Sequence, residues 1–472
     1  MIVFSDLKRN FSYAFLAQLT SLFVSCYMAF VVPKFISIVD YSYWQLFIFY
    51  NTLIIFLNFG YNQGIYLKNG GIDYRGIEGL NLAAHFKIIF FMQFFLSLIV
   101  CFFAFENNDV DKKIIYICIA VASIINNLSD FFCYFFQTIN KIKEYSRVIV
   151  GYNLCYLLLL TFLFIIGNIL NITFGYKECI ILYVFSRIIG LLIGILNSFR
   201  ILKLGYTIHK NLNIKVLFDG FNYMKIGLLL SASELVSFLV LGINRLCIEN
   251  MWGIYSFGLV SFTLQLSNFV VAFLKQIGLV LFPHLRRLEE IENKEIYTSL
   301  TNFFDLYGML LFVLYVPIRM FVLLWLPEYE RACEYLIILM PICLFEARMQ
   351  LLGVTFFKIF RMESILLKIN IIVLIIACIL AFFFTYCISN LNFLIYCMLF
   401  CVVIRSMISE LILNNYFSIK NKIGSIILIL FTIIFCIVFE KYDYLTAGII
   451  YLISCVIYII GINVLKHKFE FN

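Results

Sequence analysis

The sequence predicts an all-α integral membrane protein of about fourteen transmembrane helices. Three observations carry that prediction. Hydrophobic residues make up 64% of the 472 and charged ones only 13%, with a mean hydropathy of +1.00. A soluble chain of this length cannot hide so much apolar surface. The apolar residues fall in repeated runs of about 20, the length that crosses a bilayer core. The basic residues sit in the short loops between alternate runs, which is the positive-inside pattern. The net charge of +8 is therefore no argument for a nucleic-acid partner.

The first six runs are 11–32, 44–67, 82–105, 114–138, 147–168 and 178–199. The next six are 222–246, 253–281, 299–325, 335–357, 365–387 and 391–416, and the last two are 423–439 and 444–465. The run from Phe11 to Val32 is too long for a signal-peptide core and is expected to be a retained first span. Alternate loops hold Lys68 and Arg75, Lys141 and Lys143, Arg200 and Lys203, Arg286 and Arg287, Lys358 and Arg361, and Lys420 and Lys422. The intervening loops are poor in cations. Both termini are thus expected in the cytoplasm, as an even number of spans requires.

The 15 cysteines fall mostly inside predicted spans, where they act as small hydrophobes. Cys397 and Cys401 share a helix face, but two thiols alone make a poor metal site. Histidines 85, 209, 284 and 467 are scattered and build no constellation, and no metal or cofactor is expected. No loop is long enough for a soluble catalytic domain. A membrane-bound glycan polymerase or ligase would be expected to carry a large external loop, so a non-enzymatic role is the expectation.

Two halves are visible. Tyr41-Ser42-Tyr43 follows the first span and Tyr255-Ser256-Phe257 follows the seventh. The offset of about 214 residues lays Phe11–Val32 onto Lys225–Leu246, as parallel internal repeats would. Pro317 and Pro341 lie inside the ninth and tenth runs, where they should kink the helices.

Lys225–Leu246 carries the unusual chemistry. It is long enough to span, yet Glu234 sits near its middle and Arg245 near its far end. An ionisable group at mid-bilayer costs about 2.5–3.5 kcal/mol on insertion scales, unless it faces other helices or water. By the same rule Arg187, Lys275, Arg319, Arg348 and Arg405 are intramembrane cations, and Asp130 and Glu346 intramembrane acids. Counting about 1.5 Å per residue places Arg348 and Arg405 near mid-membrane. Arg245 and Arg319 fall toward the outer face and Lys275 toward the cytoplasm. The plainer reading of each is a structural ion pair, Arg348 with Glu346 and Arg405 with Glu410. Asn126, Asn127, Gln265 and Asn268 are candidates to hydrogen-bond a polar substrate, with bonds between helices as the plainer reading.

Pro33, Tyr41 to Trp44, Asn58-Phe59-Gly60 and Gly64-Ile65-Tyr66-Leu67-Lys68-Asn69-Gly70-Gly71 together resemble the amino-terminal signature of Wzx-type polysaccharide-unit flippases. These belong to the superfamily that also holds multidrug extruders and lipid II flippases. Trp252 to Gly258 looks like that family's loop between spans seven and eight, and Phe282-Pro283-His284-Leu285-Arg286 like the end of span eight. The resemblance implies a MATE-like architecture: an N-terminal lobe over 1–205, a C-terminal lobe over 206–417 and an accessory pair of spans over 418–472. It implies a flippase that moves an undecaprenyl-diphosphate-linked oligosaccharide across the bacterial inner membrane by alternating access, for O-antigen, capsule or another surface polysaccharide. Membrane lipids, a proton or sodium gradient and other polysaccharide-assembly proteins are the implied partners. A cation-lined cavity suits the diphosphate, with Arg245, Arg348, Arg405, Arg187, Arg319 and Lys275 as candidate substrate contacts. Glu234, Glu346 and Asp130 are the candidates for coupling or gating. An ion-coupled drug or small-molecule exporter of the same superfamily is the alternative. Multidrug extruders often carry an acid in the first span, and Phe11–Val32 has none.

Overall fold

The computed structural model describes residues 2–70, 82–208, 214–285, 288–419 and 423–470. It is helical throughout, with no strand among the described residues. Among the described residues eleven helices are long and apolar enough to cross a membrane, or twelve if the bent pair Pro327–Leu339 and Ile342–Ile359 is one span. The chain is therefore a multi-pass membrane protein.

The lower count than fourteen has physical causes. The predicted second span is broken. Helix α1 (Ile2–Phe30) and the short α2 (Val32–Phe35) lead into α3 (Ile38–Ile55), whose N-cap Ser37 accepts from the Asp40 amide at 3.1 Å. A 3₁₀ turn over Phe56–Asn58 follows, then α4 (Tyr61–Asn69). Phe59 and Gly60 both have positive φ, 50° and 76°, and the Asn58 side chain accepts the Gly60 amide at 2.8 Å. The seventh and eighth spans are merged instead. Helix α9 (Ile214–Leu285) runs unbroken but for Gly253, whose φ of 77° and ψ of 178° only glycine adopts readily.

The remaining helices follow the predicted runs closely. They are α5 (Leu82–Glu106), α6 (Val110–Thr138), α7 (Ile142–Leu170) and α8 (Tyr176–Ile208) before α9. After it come α10 (Glu290–Tyr307), α11 (Tyr315–Trp325), α12 (Glu330–Leu339), α13 (Ile342–Arg348) and α14 (Thr355–Ile359). The chain closes with α15 (Glu363–Phe383), α16 (Leu391–Tyr416), α17 (Ile423–Lys441) and α18 (Tyr444–Glu470). One of the two expected proline kinks is seen, at Pro341, while Glu290–Trp325, which contains Pro317, runs as one span. Pro317 follows a 3₁₀ stretch over Gly308–Leu314, and Pro341 stands at a bend of 48°. A π-helical turn over Met349–Val354 separates α13 from α14.

The chain divides into two compact units, residues 1–235 and 236–472, with the boundary inside α9. In the first unit α6 is the hub, packing on α3, α4, α5, α7 and α8. Phe131, Phe132, Phe135 and Phe136 fill its centre. The first part of α9 belongs here. Gly60 lies against the backbone of Gly227 and Gly64 against that of Tyr223, so tightly that a Cβ on either would fall on main-chain atoms. In the second unit α16 packs on α12, α13 and α15. Phe312, Tyr315, Phe435 and Tyr451 form an aromatic core that joins α17 and α18 to α11 and the 3₁₀ stretch before it.

Candidate functional site: two buried charge networks

Each unit buries cations at membrane depth, and each cation is held by acids or amides from other helices. In the first unit Arg187 of α8 is the centre. Its Nε donates to Asn126 Oδ1 at 2.5 Å and its Nη2 to Asp130 Oδ1 at 3.4 Å, both on α6. The guanidinium also lies 4.2 Å from the centroid of the Tyr152 ring on α7. Asn126 donates in turn to Asn51 Oδ1 at 2.8 Å, and Asn51 to the Tyr183 hydroxyl at 3.1 Å. The i, i+4 spacing of Asn126 and Asp130 puts both on one face of α6, toward α8. Asn127 faces α5, where it donates to Gln93 at 2.9 Å.

The second unit holds a larger network across α10, α13 and α16. Arg348 donates to Glu410 Oε2 at 2.7 Å and to Asp305 Oδ1 at 2.9 Å. Glu410 also accepts from Ser425 at 2.6 Å. Arg405 is ion-paired with Glu346 and donates to Ser237 Oγ at 2.7 Å. Gln350 donates to the other oxygen of Glu346 at 2.8 Å. Both guanidinium side chains are 2% exposed. The partners expected from sequence were the local ones, and the structure exchanges them. Arg348 takes the acid of α16, and Arg405 takes the acid of α13. Residues two and five apart on one helix do not face each other, whereas facing helices bring opposite charges into reach.

The other expected site residues lie apart from these networks. Arg245 is half-buried on α9, donates to Ser261 Oγ at 2.8 Å and stacks 5.0 Å from the Phe257 ring centroid. Arg319 is half-buried on α11, donates to the Tyr315 hydroxyl at 3.1 Å and lies 4.8 Å from the Tyr444 ring centroid. Glu234 is exposed on α9. Lys275 stands in α9, and its side chain lies outside the described residues, as do His209 and the loop cations Arg75, Arg286, Arg287, Lys420 and Lys422. The side chains of Arg200, Lys203, His284 and His467 are likewise outside them.

Sequence reasoning missed Asp305, Asn51, Tyr152 and Ser237. Asp305 was open to the rule that found the others, being an acid inside an apolar run. The remaining three are common residue types whose role depends on which helices meet. His85, set aside in the sequence, is buried with its Nδ1 2.6 Å from the Tyr61 hydroxyl.

No protein-family model matches the sequence, and no curated protein is a match by sequence. Solved structures match by fold. The lipid II flippase MurJ in an inward closed conformation superposes with a TM-score of 0.60 at 13% identity, over 100% of both chains. An inward-facing multidrug resistance MATE family transporter of the MOP superfamily gives 0.55 at 11% identity, over 85% of this chain and 94% of that one. The eukaryotic MATE transporter AtDTX14 gives 0.55 at 10% identity, over 90% and 99%. The protein thus has the MATE fold. Identities this low establish the fold and nothing finer.

Proposed function

We propose that the protein is a flippase for an undecaprenyl-diphosphate-linked oligosaccharide. It would work in the bacterial inner membrane with both termini in the cytoplasm, built of a lobe over 1–205, a lobe over 206–417 and an accessory pair over 418–472. The supporting observation is the set of guanidinium groups inside apolar helices of both units. Intramembrane charges are costly and mark substrate or ion pathways, and guanidinium groups suit an anionic substrate. The fold likeness to a lipid II flippase agrees with this reading.

The geometry divides the candidates. Arg187, Arg348 and Arg405 are neutralised by acids, so a diphosphate reaching them would have to displace a carboxylate. They fit gating or coupling together with Asp130, Glu346, Asp305 and Glu410. Arg245 and Arg319 are the less buried guanidiniums and suit a passing diphosphate better. Their bidentate fork matches phosphate oxygens, and the neighbouring rings of Phe257 and Tyr444 hold each plane in place.

The test is leaflet exchange of fluorescent undecaprenyl-diphosphate oligosaccharides in proteoliposomes. Wild type should exchange, and Arg245→Ala should reduce the rate by tenfold or more, the effect of losing about 1.4 kcal/mol. Folded wild-type protein that exchanges no cognate glycan under any imposed ion gradient would refute the reading. The second reading, export of a small cation or drug, is supported by the three carboxylates against two guanidiniums in the Arg348–Arg405 network and by the fold likeness to a multidrug resistance MATE family transporter. It predicts proton- or sodium-driven efflux of lipophilic cations and no glycolipid exchange.

A further inference from the structure

The first unit contains a cavity of about 500 Å³ that the charge networks do not use. It is a wedge. The 3₁₀ turn after α3 meets α5 where Gln93 donates to the Leu57 carbonyl at 3.3 Å, and α6 forms the floor. Tyr50 and Leu53 of α3, Val100 and Phe103 of α5, and Ile119 of α6 make apolar walls. Glu106, the last residue of α5, and Asn107, just beyond it, form the rim.

We propose that this wedge is a lipid site, selective for a zwitterionic phospholipid whose headgroup carries a primary ammonium, that is phosphatidylethanolamine. The polarity runs in the right direction. Val100 lies six residues, or about 9 Å, down α5 from Glu106, which sets an acyl-lined floor beneath a headgroup-level rim. Every charge lining the wedge is negative. Glu106 has no ion-pair partner among the described residues, and it stands where the last carbonyls of α5 already favour a cation. Tyr116 donates to the Tyr50 hydroxyl at 3.3 Å, so this pair offers acceptor lone pairs to an N–H donor. Lys112 and Lys113 follow on the first turn of α6, close in sequence to the Glu106 rim and suited to a lipid phosphate, with Lys113 5.0 Å from the Phe105 ring centroid. An ammonium with three N–H donors satisfies such a rim, whereas a quaternary choline has the charge but no donors. Exposed Phe103, Phe105 and Val110 keep the surroundings apolar, as a lipid-facing edge requires.

The proposal is tested in nanodiscs made of equal parts phosphatidylethanolamine, phosphatidylcholine and phosphatidylglycerol. Retained lipid is identified by native mass spectrometry. Wild type is expected to retain phosphatidylethanolamine over phosphatidylcholine by about fivefold, equivalent to about 1 kcal/mol. Glu106→Gln keeps the size of the side chain and removes its charge, and should bring the ratio to that of the bulk lipid. Leu53→Trp fills the wedge and should lower retention of all three lipids. Gel filtration confirms that each variant is folded, and Glu106→Gln at an exposed helix end carries the test if the Trp variant fails to fold. Equal retention of phosphatidylethanolamine and phosphatidylcholine, or a ratio indifferent to Glu106→Gln, would overturn it. Preferential retention of phosphatidylglycerol would overturn it as well.

Discussion

Arg348 and Arg405 illustrate what a guanidinium does inside an apolar helix bundle. Each exchanges the hydration of bulk water for two or more fixed acceptors, and each acceptor is supplied by a different helix. Removing one member leaves a buried charge without its partner. Arg348→Ala strands both Asp305 and Glu410, and is expected to cost about 3–5 kcal/mol of stability, read as a large fall in melting temperature of the purified protein. Replacing both members of a pair behaves differently. Arg405→Met together with Glu346→Leu is expected to melt close to wild type, because apolar side chains of similar volume need no solvation. If the pair serves gating or coupling, that stable double variant should nevertheless lose exchange in proteoliposomes. A double variant with wild-type exchange would reduce the pair to packing.

At the scale of single elements, the breaks carry the meaning. The second predicted span is interrupted at Phe59 and Gly60 because the chain there must reach the backbone of α9. Gly60, Gly64 and Gly227 let two helices approach until main chain meets main chain, as small residues do in membrane bundles. Gly64→Ala adds one methyl group with nowhere to go, since the neighbour is the Tyr223 carbonyl and not a side chain that can turn away. Overpacking of this kind is expected to cost about 1–3 kcal/mol, measured as a lowered melting temperature with unchanged insertion. The π-helical turn over Met349–Val354 is a second such place. It directly follows Arg348, and π-turns inside α-helices often mark functional positions.

For the molecule as a whole, two quantities are decisive, topology and charge balance. Reporter fusions check the first: fusions at the C-terminus and after Lys358 should report cytoplasm, and a fusion after Asn171 should report the outer side. The opposite pattern would invert the leaflets assigned to every site above. Charge balance concerns the second unit, where three carboxylates, Asp305, Glu346 and Glu410, face two guanidiniums. One carboxylate in excess inside an apolar bundle suits the binding of a coupling cation. Asp305 is the most exposed of the three at 16% and therefore the natural point of exchange. Asp305→Asn balances the charges. It is expected to keep the fold and to abolish any dependence of exchange on a pH gradient, while variants outside the network retain it.

The sequence by itself determined that this chain lives in a membrane, and roughly where each helix runs. Those features depend on local composition: an apolar run of about 20 residues needs no partner to be recognised. Pro341 announced its kink for the same reason, since a missing N–H acts on its own helix. The candidate cations were legible too, because a charge in an apolar run is conspicuous wherever it points. Their partners were not. Whether Arg348 pairs with Glu346 or with Glu410 depends on the azimuth of each side chain and on which helices face each other. Whether Ile38–Asn69 is one straight span or a broken one depends on the glycines of a helix more than 150 residues away. Likewise, the sequence marks Glu106 only as the end of an apolar run. Only the arrangement of α3, α5 and α6 around one space makes it the rim of a cavity. Such features arise where distant segments meet, so the tertiary structure alone decided them.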